Sequence, residues 1–183
     1  MELITRYISH QLYVAIGART ASSRMLEMAA HLSLRGRILI LDCGNRANPY
    51  PLARKLRGLT KDPVQALENI DNARAFTCYQ VVALLEETAH SGPPFPPVLV
   101  FDLLSTFYDE SVSFNESQRL LNQSLLFIDR ISRSVPVAVS ARPPAADFPQ
   151  RRVFLHQLCQ FAGEIWEEPL LETAAPQQLS LFP

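Results

Sequence analysis

The sequence predicts a three-layer α/β fold built on a mainly parallel sheet. Three observations lead there. Short apolar runs alternate with amphipathic helical segments along the whole chain, the pattern of βαβ units with right-handed crossovers. Residues 37–42 and 97–102 are apolar at consecutive positions, as strands covered on both faces are. The first apolar run, Tyr13-Val14-Ala15-Ile16, enters a turn begun by Gly17 and then a helical segment over residues 25–34.

The elements follow in order. Residues 11–16 read as the first strand. Ser22 and Ser23 read as caps of the next helix, whose apolar face is Met25, Leu26, Met28, Ala29 and Leu32 and whose stop is Gly36. Residues 37–42 form the second strand. A polar turn over 43–51, with Gly44, Asn45 and Pro49, leads into a helix over 51–59. Asp62 before Pro63 reads as a cap with proline at the first helical position, opening a helix to about residue 70. Residues 71–76 are strand-like, and Thr77 caps a helix to about residue 90 with Val81, Leu84 and Leu85 inward. The strand over 97–102 ends in the carboxylate of Asp102, and the loop over 103–114 carries Asp109 and Glu110. Asn115 reads as the cap of the longest helix, to about residue 134, with Leu121, Leu125 and Ile128 on one stripe. A strand over 135–140, a proline-rich loop, a helix over 152–161 and a short strand over 164–166 close the fold. The domain is expected over residues 1–168, with residues 169–183 as a proline-containing, flexible tail.

Composition bounds the function. A chain of 183 residues suits one domain with a full core. A formal net charge of −1 provides no global field toward nucleic acid or membrane. Hydrophobic content of 48% with 19% charged residues is that of a globular protein. No apolar run is long enough to span a bilayer, and the N-terminal residues lack a signal-peptide layout. Cys43, Cys78 and Cys159 are odd in number and widely spaced, which points to a reducing cytosol rather than a disulfide framework. The expected location is therefore cytoplasmic.

Ligands of parallel α/β sheets bind outside the carboxyl ends of the strands. Gly17, Asp42, Asp102 and Ser140 fall at that edge. The phosphate-loop pattern G-x-x-x-x-G-K-[ST] wraps phosphates in backbone N–H groups, neutralises them with lysine and holds magnesium with its hydroxyl. Gly17 fits its first position, but Ser22, Ser23 and Arg24 stand where the second glycine, the lysine and the hydroxyl residue belong. The turn has the layout of a phosphate site without its chemistry. Other constellations have simpler explanations. His156 and Cys159 are spaced to touch one metal but lack a second pair. Cys43 reads as an ordinary small residue, Asp109 and Glu110 as a solvated loop, and Trp166 as packing. Arg54, Lys55, Arg57 and Lys61 read as a solvated basic face.

The run Leu59-Thr60-Lys61-Asp62-Pro63-Val64-Gln65-Ala66-Leu67-Glu68-Asn69-Ile70-Asp71-Asn72-Ala73-Arg74-Ala75-Phe76 resembles the archaeal RadA segment in which a short helix leads into a strand ending in A-R-A-F. Residues 97–102 resemble a Walker B strand. In this order, most of residues 11–144 resembles the ATPase core of the RecA/RadA recombinase family. The resemblance implies a RecA-like P-loop NTPase fold without a functional P-loop. It makes Gly17, Arg19, Ser22, Ser23, Arg24 and Asp102 a vestigial nucleotide site. The family's lysine is Ser23 here, its hydroxyl residue is Arg24, and its water-activating glutamate falls at Gly44. Each lost charge-assisted bond weakens binding by roughly 1.5–3 kcal/mol, and about 1.4 kcal/mol is tenfold. The expectation is a pseudo-ATPase with no cofactor and little ATP or magnesium binding. The rival is an ATPase whose atypical loop uses Arg19 or Arg24. The family's N-terminal domain has no counterpart in this sequence, so filament formation is not expected. Its two DNA-binding loops fall near residues 105–114 and 142–151; the first carries Asp109 and Glu110 and the second has Arg142, Arg151 and Arg152, so any DNA contact is expected to be weak or indirect.

Near the end of the chain, Gln178-Leu179-Ser180-Leu181-Phe182 resembles, at every position, the peptide by which bacterial polymerases and repair proteins dock on the DNA polymerase sliding clamp. Glutamine fixes the register, while Leu179, Leu181 and Phe182 fill a preformed apolar groove. The alternative is a tail folded back on its own sheet. The expected function is that of a non-catalytic, nucleoid-associated accessory protein in bacterial DNA repair, recombination or replication, docked on the clamp. A scaffold pairing with another RecA-like or repair protein across the vacant nucleotide face is a third arrangement.

Overall fold

The computed structural model describes residues 12–17, 20–91, 96–146 and 148–168. Its strands are β1 (Leu12–Ile16), β2 (Ile38–Asp42), β3 (Ile70–Arg74), β4 (Val98–Phe101), β5 (Val137–Ala141) and β6 (Glu164–Glu167). Its α-helices are α1 (Thr20–Ser33), α2 (Pro49–Leu59), α3 (Pro63–Glu68), α4 (Cys78–His90), α5 (Phe114–Ser132) and α6 (Arg152–Phe161). The strands form one sheet in the order β3-β2-β4-β5-β1-β6, and every pairing is parallel. This order differs from the dinucleotide-binding order 3-2-1-4-5-6 and from the flavodoxin-like order 2-1-3-4-5.

Chain direction explains the layers. From β1 the chain moves across the sheet to β2 and β3, then reverses through β4, β5 and β6. Right-handed crossovers running in opposite directions place their helices on opposite faces. One core accordingly packs α1, α2 and α3 on Tyr13, Ala15, Ile38, Ile40, Leu99 and Phe101. The other packs α4, α5 and α6 on Val14, Leu41, Val98, Val100 and Val139. Alternate residues of β1 and β4 thus serve different cores, which is why these strands are apolar without interruption.

Several boundaries differ from the sequence reading. Helix α1 begins at Thr20, so Ser22 and Ser23 lie inside its first turns rather than capping it. Asn48 caps α2 by accepting from the Tyr50 N–H, two residues earlier than expected. Ser113, not Asn115, caps α5, accepting from the Glu116 N–H at 3.3 Å. Asp62 and Thr77 cap α3 and α4 through the N–H groups of Gln65 and Gln80. Strand β3 starts one residue early, and β5 starts two residues late, after Pro136. No helix among the described residues is long and apolar enough to cross a membrane.

Arg151 is buried and ties three segments together. Its guanidinium donates to the carbonyl of Phe107, to Val112 O at 2.9 Å and to Ser117 Oγ at 3.3 Å. It also lies 5.9 Å from the centre of the Phe154 ring. Arg151→Ala strands these acceptors and is expected to lower stability by about 2–4 kcal/mol. Urea unfolding should show a lower midpoint at unchanged slope. Arg152→Ala, at an exposed neighbour, should shift stability by less than about 0.5 kcal/mol.

Candidate functional site

Because all six strands run the same way, their carboxyl ends share one edge. Gly17, Asp42, Cys43, Gly44, Arg74, Asp102, Ser140, Arg142 and Glu168 sit there. The ladder continues past the strand ends: Gly17 N–H donates to Ala141 O, Cys43 N–H to Phe101 O, and Glu168 N–H to Ile16 O. Asp102 turns the chain with φ +53°, a left-handed conformation that aspartate tolerates better than most residues. Its N–H donates to Ser140 Oγ at 2.9 Å, so Ser140 holds this turn.

Two buried carboxylates dominate the edge. Asp42 is fully buried; it accepts from the Arg46 N–H at 2.8 Å and from Arg74 Nε at 3.1 Å. Asp102 is 2% exposed, with Arg142 Nη2 at 2.7 Å and Arg46 Nε at 3.6 Å from its Oδ2. The Arg142 contact is one of charge rather than an aligned hydrogen bond. Among the described residues, neither oxygen of Asp102 has a hydrogen-bond partner of good geometry. Arg142 also donates to Ser105 Oγ, and its carbonyl accepts from Tyr108 OH at 3.0 Å. Burial first, and then the nearby Asp102 charge, push the Tyr108 hydroxyl well above its usual value, so it remains a donor.

Gly44 packs directly on Asp102. A Cβ at this position would lie 2.5 Å from both Cβ and Oδ2 of Asp102. A glutamate at position 44 therefore has no room while Asp102 holds this conformation. Burial, with Asp42 and Asp102 adding to it, pushes the Cys43 thiol far above its ordinary value. The thiol is neutral and shielded, and no nucleophile is generated here.

The glycine turn is crowded from the other side. Gly17 has φ +155°, and a Cβ there would lie 2.4 Å from Glu168 Oε2. A carboxylate thus stands at the mouth of the turn. Ser22 is half-buried and Ser23 exposed on α1. Arg24 is engaged elsewhere: its Nε donates to Tyr13 OH at 2.7 Å, and its guanidinium lies 4.7 Å from the Trp166 ring centre. Arg19 and the segment Gln178, Leu179, Ser180, Leu181 and Phe182 lie outside the described residues. The structure therefore brings Gly17 and Asp102 to one edge and directs Arg24 to the aromatic side of β1 and β6. No protein-family model matches the chain.

The expected DNA loops are internally occupied. Residues 105–108 form a 3-10 turn, Arg142 faces Asp102, and Arg151 is buried. Among the described residues, no group of three or more histidine, cysteine or acidic side chains is placed to hold a metal. An apolar hollow of ≈ 360 Å³ opens at the opposite edge, lined by Met28, Leu32, Pro97, Leu99, Pro136 and Ala138. It lies on the amino ends of the strands, away from the carboxylates.

Sequence reasoning missed Arg46, Arg74, Arg142 and Glu168. Arg74 is opposite Asp42 in the β2–β3 register, a cross-strand pair visible only once strand order is known. Gly44→Glu is expected to destabilise the fold by about 1–3 kcal/mol through overpacking, read as a lower urea midpoint. Cys43 should resist iodoacetamide at about pH 8.5 until the chain unfolds. Since folding holds this thiol neutral, its contribution to stability should be lost as pH rises past about 8.5.

Proposed function

We propose that this chain is a non-catalytic, RecA-like accessory protein of bacterial DNA repair, recombination or replication. It docks on the DNA polymerase sliding clamp through Gln178-Leu179-Ser180-Leu181-Phe182. The observation that carries the proposal is this pentapeptide, preceded by the proline-containing stretch Glu168-Pro169 and Ala174-Ala175-Pro176. It provides three apolar anchors and a register-fixing amide in the order a clamp groove accepts.

The sheet edge supports the non-catalytic half. Hydrolysis of a nucleoside triphosphate needs cations on the phosphates, a carboxylate free to hold magnesium and a base positioned on water. Here Asp102 is opposed by Arg142 and Arg46, position 44 is filled by Asp102 itself, and the glycine turn faces Glu168. Arg24 is bound to Tyr13 and Trp166, which weighs against the rival in which it neutralises phosphate. The six-strand parallel sheet, with helices on both faces, supports the RecA-like reading.

Deleting residues 177–183 is expected to abolish clamp binding, with a wild-type Kd on the order of 1 μM, while leaving the thermal midpoint unchanged. Surface plasmon resonance on immobilised clamp measures the first, and undiminished binding by the truncated protein defeats the proposal. Calorimetric titration with ATP·Mg²⁺ should show no saturation at roughly millimolar nucleotide. Saturation that is lost in Asp102→Ala would establish the rival ATPase instead.

A further inference from the structure

The surface of α2 has an unexplained charge pattern. Residues 43–61 contain Arg46, Arg54, Lys55, Arg57 and Lys61 and no aspartate or glutamate, in a chain whose net charge is −1. Among the described residues, none of Arg54, Lys55, Arg57 or Lys61 has an ion-pair partner. Arg46, Arg74 and Arg142 at the sheet edge face buried carboxylates; these four face none among the described residues.

The helix orders these cations around an aromatic ring. Leu52 and Leu56 face the core. At about 100° per residue, Arg57, Tyr50, Arg54, Gly58, Pro51 and Lys55 follow one another around the outward arc. Tyr50 is 83% exposed, the most exposed of the large hydrophobic side chains among the described residues. Asn48 as cap and two prolines in the first turn fix the backbone from which it projects.

Over this arc lies a shallow, open groove. A hollow of ≈ 660 Å³ is lined by Asn48, Tyr50, Pro51, Arg54, Lys55 and Gly58. A second hollow, toward α1, shares Lys55 and Gly58 and adds His31, with Glu27 as its carboxylate. Gly58 joins the two. Glycine inside a helix costs about 1 kcal/mol relative to alanine, and a Cβ at Gly58 would meet nothing within 4 Å. Packing does not require glycine there.

We propose that this groove binds single-stranded nucleic acid, with a base stacked on Tyr50 and the phosphodiester backbone held by Arg54, Lys55 and Arg57. Unpaired cations beside an exposed aromatic are the pairing that single-strand recognition uses: charge for the backbone, a π-face for the base. An acidic protein segment would use the cations but would leave the exposed ring without a role. The surface is distinct from the loops over residues 105–114 and 142–151 and from the C-terminal pentapeptide.

Fluorescence anisotropy of the full chain with labelled oligothymidylate and oligouridylate of about 20 nucleotides, at about 50 mM salt, tests this. Saturable binding is expected with a log–log salt slope of about −2, as three single-strand phosphate contacts give. Binding of one oligomer or both supports the site and identifies the polymer. Tyr50→Ala should weaken binding about tenfold and Tyr50→Phe much less. Arg54→Glu with Lys55→Glu should weaken it by at least about tenfold. Gly58→Leu should fill the junction and reduce binding while raising helix stability, which separates the groove from a folding role. Deleting residues 177–183 should leave all of this unchanged, so failure here and failure of clamp docking are told apart. No saturation by either oligomer, insensitivity to both the Tyr50→Ala and the double Glu variants, or equal competition by polyglutamate overturns the proposal.

Discussion

Two carboxylates, Asp42 and Asp102, sit almost fully out of water at the ends of the adjacent strands β2 and β4, and the carboxyl edge surrounds them with arginines. A buried carboxylate without a counter-charge costs several kcal/mol. The counter-charges come from three places: Arg46 in the turn after β2, Arg74 at the end of β3, and Arg142 after β5. Meeting one electrostatic demand therefore ties together segments that are far apart in sequence. The Asp102 side chain also occupies the space of any residue larger than glycine at position 44.

The glycine turn at the same edge is separate from what holds the sheet together. The apolar strands that define the sheet do not depend on phosphate chemistry; they are held by two cores. Gly17 is still needed, since its positive φ and the proximity of Glu168 exclude a Cβ there. Ser23, exposed on α1, has no comparable structural duty. Arg24 has a different task, bridging the aromatic faces of Tyr13 and Trp166 and so joining α1 to β1 and β6.

How much of this was legible in the sequence depended on the range of the interaction. Apolar runs and local caps were readable, because Asp62, Thr77 and the strands over residues 37–42 and 97–102 act through neighbours within a few positions. Ser113 was overlooked for Asn115 because both can cap, and only the position of the first free N–H distinguishes them. The β3 and β5 boundaries slipped by one or two residues where apolar character continues past the end of the ladder. The arginine–carboxylate cluster was not readable: Arg142 is forty residues from Asp102, and nothing in either local sequence announces the other. Charge distribution, too, was hidden by the total, since a net charge of −1 conceals a nineteen-residue stretch without an acid.

Strand order has a consequence for synthesis. β1 is the first of the described strands to be synthesised, yet both of its neighbours, β5 and β6, come from the last third of the described chain. β2, β3 and β4 neighbour one another and can assemble as soon as they emerge. The fully apolar β1 must then wait for some 120 residues of further translation before its hydrogen bonds can close, and long-range parallel pairing of this kind is intrinsically slow. A nascent chain paused before residue 137 leaves that strand without either of its pairing partners.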